Sequence, residues 1–399
     1  MENFTFYSPT RFVFGRGAEL RAGELVRSLG GTRALIVYGG GSVKRSGLYD
    51  RVVASLQAAG VGHCEIGGVL PNPRSGLVYA GIDLARREGA DFVLSMGGGS
   101  AIDTGKAIAL GMRYAGDFWD FFCGKATPAA AAPHGVIPTL PAAGSEGSNS
   151  CVITQEDGML KRGLNIDLNR PLFALMNPEL TFTLPPYQTA CGIVDMLSHV
   201  LERYFTNTPD VDLTDRMAEA LMRSIVAAAP AAMRDPADYE ARATLLWAGT
   251  LAHNDSVGVG REQDWSSHRI GHELSARYDC AHGAVLSVLF PAWMRYVYRH
   301  DVMRFAQYAS RVWGVEMNFA HPETTALAGI ARTAAFFASL GMPRTLAQLG
   351  ADEADIPTLA AGVVRAPDST CGRFVRLDTE AIEAILRLAA QSDGEEAFK

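Results

Sequence analysis

The sequence has no long apolar run. None approaches the roughly 18 residues of a spanning helix without meeting Gly, Pro or a charge, which argues against a membrane span. Cysteine is sparse and dispersed. Six thiols (Cys64, Cys123, Cys151, Cys191, Cys280, Cys371) lie far apart with no C-x-x-C pair. That usage fits reduced thiols in a cytoplasmic protein, not a disulfide framework. Positive charge is in deficit: 36 Lys and Arg stand against 43 Asp and Glu, a net charge of -7. Nucleic acid and anionic membrane surfaces are poor partners for such a chain. The N-terminus, Met-Glu-Asn-Phe-Thr-Phe, lacks the basic region of a secretory signal. No solenoid-length repeat is visible, and the only compositional bias is the alanine patch at 128–132. The dinucleotide fingerprint G-x-G-x-x-G is missing as well.

What is present divides in two. At 399 residues the chain exceeds one typical core, so two domains are expected. The segments 33–38, 61–69, 92–96, 136–140, 152–154 and 173–176 read as strands, and 48–59, 76–88 and 101–112 as helices between them. Strand and helix alternating at this spacing predict an α/β domain built on a doubly wound parallel sheet. Residues 126–134 read as a loop. Leu184-Pro185-Pro186 is the sharpest punctuation, and the chain beyond it reads as helical: 187–205, 211–232, 238–252, 266–276, 283–298, 301–312, 323–340 and 379–390. The boundary is placed there, with an α/β domain over 1–184 and an all-helical domain over 185–399. Residues 3–14 alternate with aromatics and read as a two-strand hairpin. An exposed edge of that kind tends to be covered, so a homodimer pairing these strands is expected.

Two glycine turns end strands. Gly39-Gly40-Gly41-Ser42 comes after 33–38, and Gly97-Gly98-Gly99-Ser100 after 92–96. Such turns expose backbone N–H groups at a helix start, where an anion is favoured, and glycine lets a phosphate approach. Thr104-Gly105-Lys106-Ala107 looks like the end of a P-loop. Ala107, however, replaces the hydroxyl that would hold Mg²⁺, which rejects a nucleotide triphosphatase.

Histidines supply the second signal. His268 and His272 are four apart, so are Asp195 and His199, and His282 precedes Gly283. Residues four apart share a helix face. Imidazoles and a carboxylate brought together suit Fe²⁺ or Zn²⁺. The pattern alone leaves open which four of these five ligate. A phosphate site on an α/β domain together with a metal site on a helical one points to a nicotinamide-dependent redox enzyme.

These residues resemble the iron-containing (group III) alcohol dehydrogenase family, and within it the NADPH-dependent butanol dehydrogenase and aldehyde reductase branch. Gly97-Gly-Gly-Ser-Ala-Ile-Asp103-Thr-Gly-Lys106, Pro71-Asn72-Pro73, Asp195-x-x-x-His199 and His268-x-x-x-His272 through His282-Gly283 carry the likeness. So does Tyr38-Gly-Gly-Gly-Ser42-Val-Lys44-Arg45. The resemblance implies metal ligands at Asp195, His199, His268 and His282, with His272 outside them as a proton relay. It implies cofactor contacts at Gly39, Gly40, Ser42, Gly98, Gly99, Ser100, Asp103, Thr139, Leu140, Ser145, Lys161, Leu180 and Thr183. Two residues depart from the family pattern: Ala143 where a second Thr is frequent, and Asn177-Pro178 where Asp-Pro is usual.

The expected reaction is hydride transfer between NADP(H) and a primary alcohol or aldehyde, assisted by one Fe²⁺ or Zn²⁺. NADP(H) is expected over NAD(H) because Gly39, not an acidic residue, ends the strand, with Lys44 and Arg45 nearby. Three alternatives share the features in part, one of them a glycerol dehydrogenase-like enzyme on the same fold. A dehydroquinate synthase-like lyase would need a denser cationic cluster than Arg261, Arg269 and Arg277 provide. A metal-binding protein without catalysis leaves the glycine turns unexplained. Phe118, Trp119 and Phe122 could line an apolar substrate site, although aromatics so spaced are usually core.

Overall fold

The computed structural model describes residues 1–364 and 369–391. Its contacts resolve into two units. The α/β unit holds Tyr7–Leu184 with Asp235–Asn254. The helical unit holds Met1–Phe6, Pro185–Arg234 and the chain from Asp255 on. The chain thus changes unit at Leu184, where the proline pair stands, and also returns for one helix around residue 239.

The α/β unit contains strands β1 (Arg11–Phe14), β2 (Arg33–Tyr38), β3 (Gly62–Ile66), β4 (Phe92–Gly97), β5 (His134–Pro138), β6 (Ser150–Gln155), β7 (Leu160–Asn165) and β8 (Phe173–Met176). Its helices before the proline pair are α1 (Ala22–Ser28), α2 (Ser42–Arg45), α3 (Leu48–Ala58), α4 (Ser75–Glu88), α5 (Gly99–Met112) and α6 (Trp119–Phe122). Six strands form one parallel sheet in the order β1-β8-β5-β4-β2-β3. Strands buried on both faces read as near-continuous apolar runs, as β2 does from Ala34 on and β4 does apart from Ser95. Alternation sends Ala34, Ile36 and Tyr38 to one face with Val52 and Leu56 of α3. Leu35 and Val37 go to the other, with Val78 and Ile82 of α4 and Ile108 of α5. Phe118, Trp119 and Phe122 are buried in that second core, so the core reading of these aromatics holds.

From β2 the chain moves outward to β3 and then returns to place β4 on the other side of β2. The reversal is a topological switch point, where open sheets bind ligands at the carboxyl ends of their strands. Both glycine turns sit there, after β2 and after β4.

Residues 3–14 do not form a hairpin. Only β1 is a strand, and it pairs parallel with β8, Arg11 opposite Phe173. Tyr7-Ser8-Pro9-Thr10 contains no residue suited to the positive φ of a tight hairpin turn, and Pro9 has no N–H for a ladder. The first residues instead belong to the helical unit. The Met1 amino group donates to the Pro209 carbonyl at 3.0 Å, and Glu2 N–H to the Gly260 carbonyl at 2.9 Å. The ribbon strand β7 was not expected, and β5 begins at His134 within the segment read as a loop.

The helical unit contains α7 (Pro186–Tyr204), α8 (Asp212–Arg234), and, after α9 (Tyr239–His253) of the α/β unit, α10 (Ser266–Tyr278), α11 (His282–Val297), α12 (Val302–Trp313), α13 (Pro322–Ser339), α14 (Ile356–Val363) and α15 (Thr379–Ala390). Pro186 opens α7, where its missing N–H costs nothing. Its core includes a cluster of Phe205, Trp293, Phe305 and Phe374 rings. No helix among the described residues is long and apolar enough to cross a membrane.

Candidate metal centre and glycine turns

Three helices of the helical unit deliver the expected ligands. Asp195 and His199 lie one turn apart on α7, His268 is the third residue of α10, and His282 is the first of α11. Asp195, His268 and His282 each bring a ligand atom to within 4.8 Å of the others. Nε2 of His268 and Nε2 of His282 each stand 3.9 Å from Asp195 Oδ1. That is beyond hydrogen-bond range, yet within the span of two donors each about 2.1 Å from a shared ion. The His199 ring centroid is 4.6 Å from that of His268. Its Nδ1 faces the Asp195 carbonyl at 3.0 Å, so Nε2 is the nitrogen presented on the opposite edge.

Asp195, His199 and His268 are buried, and His282 is partly exposed. Nε2 of His268 is buried with no hydrogen-bond partner among the described residues. A buried, unpaired ring nitrogen is costly unless something else satisfies it. With a carboxylate and two further imidazoles around it, the donor set fits one divalent ion.

Close packing brings these helices together. A Cβ on Gly283 would lie 2.7 Å from both the carbonyl carbon and Cα of Cys191, one turn before Asp195. Glycine after His282 therefore lets α11 press its first turn onto the backbone of α7. His272 lies one turn beyond His268, its ring centroid 5.7 Å from that of His282, and neither it nor His199 is among the three donors that converge.

One residue at the centre escaped the sequence reading. Glu202 is fully buried on α7, and its Oε1 accepts from His268 Nδ1 at 2.8 Å. The signal was present as the spacing His199-x-x-Glu202, which puts both side chains on one face.

In the α/β unit, most of the expected cofactor residues lie in the segments that follow β2, β4, β5 and β8, while Lys161 is on β7. Gly39 and Gly40 leave β2, and Ser42 starts α2. Gly40 has no atom within 4 Å of a would-be Cβ. Gly97 takes φ +152°, Gly98 caps α5, and Gly99 and Ser100 form its first turn. Leu140 packs on Gly98, a would-be Cβ there lying 3.0 Å from Leu140 Cδ2, and Thr139 N–H donates to the Gly97 carbonyl at 3.0 Å. Leu180 is in the short helical turn after β8, and Thr183 is exposed just beyond it.

Asp103, Ser145 and Lys161 are held by polar partners. Ser145 Oγ donates to Asp103 Oδ1 at 2.6 Å and accepts from the buried Lys106 Nζ at 2.8 Å. Lys106 also donates to the carbonyls of Ser148 at 3.2 Å and Ser150 at 2.7 Å. Val152 N–H closes the network on Asp103 Oδ2 at 2.9 Å. Burial pushes the Asp103 carboxyl up and the Lys106 ammonium down, each opposed by the other's charge. Lys161 Nζ donates to Asn72 Oδ1 at 2.8 Å in the Pro-Asn-Pro turn.

The cations near the first turn differ from each other. Lys44 is engaged, donating to Glu65 Oε1 at 2.8 Å with its ammonium over the Tyr49 ring. Arg45 folds back onto the turn, Nη1 lying 2.9 Å from a would-be Cβ on Gly41. Both departures from the family pattern have a setting. Asn177 Nδ2 donates to the buried Glu19 Oε2 at 3.0 Å, where an aspartate would face a second carboxylate. Ala143 sits beside Gly99, its Cβ 3.7 Å from a would-be Cβ there.

Comparison with known proteins agrees with this arrangement. Residues 9–178 match the family described as iron-containing alcohol dehydrogenase, and residues 189–390 its C-terminal counterpart, Fe-containing alcohol dehydrogenase family, C-terminal. The chain is 41% identical over 387 residues to the probable NADH-dependent butanol dehydrogenase 1 of Bacillus subtilis, covering 97% of this chain and 99% of that protein. It is 37% identical over 365 residues to the NADPH-dependent aldehyde reductase YqhD of Escherichia coli, covering 90% and 92%. Its fold superposes on the crystal structure of NADH-dependent butanol dehydrogenase A from Thermotoga maritima with a TM-score of 0.94 and 39% identity, over 98% of this chain and 99% of that one. With both halves of the sequence matched and the metal-ligand pattern gathered on three helices, the chain belongs to the iron-containing alcohol dehydrogenase family, an oxidoreductase acting on alcohols or aldehydes.

Proposed function

We propose that this chain is an NADP(H)-dependent, metal-containing alcohol dehydrogenase or aldehyde reductase acting on a primary alcohol or aldehyde. The observation that carries the reading is the convergence of Asp195, His268 and His282 around a buried, unpaired His268 Nε2. His199, beside His268, completes the ligand set of one Fe²⁺ or Zn²⁺. When bound, the ion supplies Lewis acidity toward the substrate oxygen and the nicotinamide supplies or accepts the hydride.

The chain's own residues do the rest. Asp195 adds a negative charge that an all-histidine site would lack. His272, beside His282, carries a proton between the substrate oxygen and water. The turns at 39–42 and 97–100 offer N–H groups to the phosphates, and Asp103, Thr139, Leu140, Ser145, Lys161, Leu180 and Thr183 orient the remainder of the cofactor.

For NADP(H), the support is Gly39 in place of a carboxylate, the open space at Gly40 and the Arg45 guanidinium over Gly41. The relatives named for NADH favour the other nucleotide, so the ratio of kcat/KM for NADPH and NADH is the deciding measurement. A wild-type preference for NADH sinks the claim, whereas Gly39→Asp should swing the preference toward NADH with metal content unchanged. His199→Ala should lose both metal and activity. One metal per chain in that variant overturns the ligand set. The protein works as a cytoplasmic homodimer in this reading. Its β1 edge, with Phe14 and Trp247 both partly exposed, is the face to be covered, and light scattering that returns a monomer mass removes it.

A further inference from the structure

Glu202 stands where two of the metal helices meet. It lies one turn past His199 on α7, and its side chain is fully buried. Three N–H groups converge on its carboxylate. Oε1 accepts from the His268 ring Nδ1 at 2.8 Å and from the His268 backbone at 3.0 Å. Oε2 accepts from the Trp265 backbone at 2.7 Å. A carboxylate can only accept, so the ring is the donor at Nδ1.

The same contacts cap a helix. Trp265 precedes α10 with φ 68° and ψ 11°, a left-handed conformation unusual for a bulky residue, and it gives no side-chain cap. The N–H of the third helical residue, ordinarily satisfied by the residue before the helix, here belongs to His268 and is satisfied by Glu202. One carboxylate thus fixes the start of α10, the rotation of the His268 ring and which ring nitrogen carries the proton. Nε2 is left with its lone pair 3.9 Å from Asp195 Oδ1.

We propose that Glu202 is a positioning residue of the metal centre: it holds His268 in the Nδ1–H tautomer and aims Nε2 at the ion. The inference rests on the metal site proposed above. Carboxylate partners of ligating histidines are a recurrent device, and losing one costs about 10–100-fold in metal affinity.

The test is a double-mutant cycle on metal affinity, independent of turnover. Metal-free wild type, Glu202→Gln, His268→Ala and the double variant are titrated with Co²⁺, monitored by visible absorbance. Glu202→Gln should weaken binding about 10–100-fold in the wild-type background and less than about twofold when His268 is already alanine. An equal loss in both backgrounds, or no loss in either, overturns the proposal, because Glu202 would then serve only the fold. Wild type that takes up no Co²⁺ defeats the metal site itself. If Glu202→Gln does not fold, the wild-type protein still decides. With ring-¹⁵N-labelled histidine, the metal-free His268 signal, identified by its absence in His268→Ala, should report the proton on Nδ1. A proton on Nε2 overturns the assignment.

Discussion

Gly283 and Gly271 lie on neighbouring helices of the same centre, and alanine should act oppositely at the two. At Gly283 a methyl carbon would stand 2.7 Å from the C and Cα atoms of Cys191, and nearer still to its carbonyl oxygen. Carbon atoms in contact settle about 3.5–4.0 Å apart. The start of α11 must therefore withdraw from α7 by about 1 Å, and backbone cannot rotate away as a side chain can. His282 begins α11 and Asp195 lies one turn after Cys191, so the retreat opens the 3.9 Å separation between their donor atoms. Metal–ligand distances tolerate about 0.2 Å. The displacement is several times that, and Gly283→Ala should lose at least about 100-fold in metal affinity, more than a disturbed outer partner costs. Stability should fall by about 1–3 kcal/mol from overpacking. Gly271, on α10 between His268 and His272, meets side-chain atoms at ordinary contact distance: Val285 Cγ1 at 3.4 Å, Leu289 Cδ1 at 3.6 Å and Leu286 Cδ2 at 3.7 Å. There the methyl fits, and Gly271→Ala should keep the metal and gain about 0.4–1 kcal/mol. Metal content by elemental mass spectrometry and thermal unfolding of the metal-free forms separate the two effects. Stoichiometric, tightly held metal in Gly283→Ala would refute the packing account.

Three further outcomes are expected. His272→Ala should keep its metal but lose rate with an altered pH profile, as expected of the relay proposed for a ring 5.7 Å from His282; loss of metal would make it a ligand. Arg45→Ala should reduce the preference for NADPH about tenfold or more and Lys44→Ala much less, because Glu65 already neutralises Lys44; equal effects in paired kcat/KM measurements would count against this. Burial, reinforced by the Lys106 charge, pushes the His134 imidazole down to about 3, so between there and its ordinary value of 6.5 only the unfolded chain takes the proton. Stability should then fall as pH drops through that window, with a slope of about 1.4 kcal/mol per pH unit from this group, and His134→Gln should flatten it in denaturant melts made at several pH values.

Much of the sheet was legible because its residues act locally. Residues 34–38 are an uninterrupted apolar run closed by glycine, and the structure makes them, with Arg33, a strand with those ends. Leu160–Asn165 gave no such signal, since Lys161, Arg162 and Asn165 look like a solvated loop until β6 pairs with them. The aromatic alternation of residues 3–14 misled because alternation says nothing about the turn, and the chain there cannot turn tightly. Helix α9 was legible as a helix, but not its membership of the α/β unit. That depends on Thr250 reaching Glu146 across 104 residues, a contact no local pattern carries. At the centre, spacing singled out five candidates, Asp195, His199, His268, His272 and His282, and only the family resemblance reduced them to four. Glu202 was hidden because a single acid on a helix looks the same whether it faces water or a histidine. Lys44 and Arg45 were indistinguishable in sequence, and only Glu65, from the neighbouring strand, tells them apart.

The buried lysine beneath the second glycine turn has a thermodynamic consequence. Lys106 ties Ser145 and the carbonyls of Ser148 and Ser150 to one ammonium, and Asp103 returns the same loop to the ribbon through Val152. The loop proposed to receive the nucleotide is therefore already ordered before the nucleotide arrives. Little conformational entropy is left to lose there on binding, so more of each contact's free energy appears as affinity. Amides of residues 145–152 should exchange slowly in the nucleotide-free protein and change little on saturation. The stabilisation that the nucleotide confers should then obey simple mass action, without the further gain that comes from freezing a mobile segment.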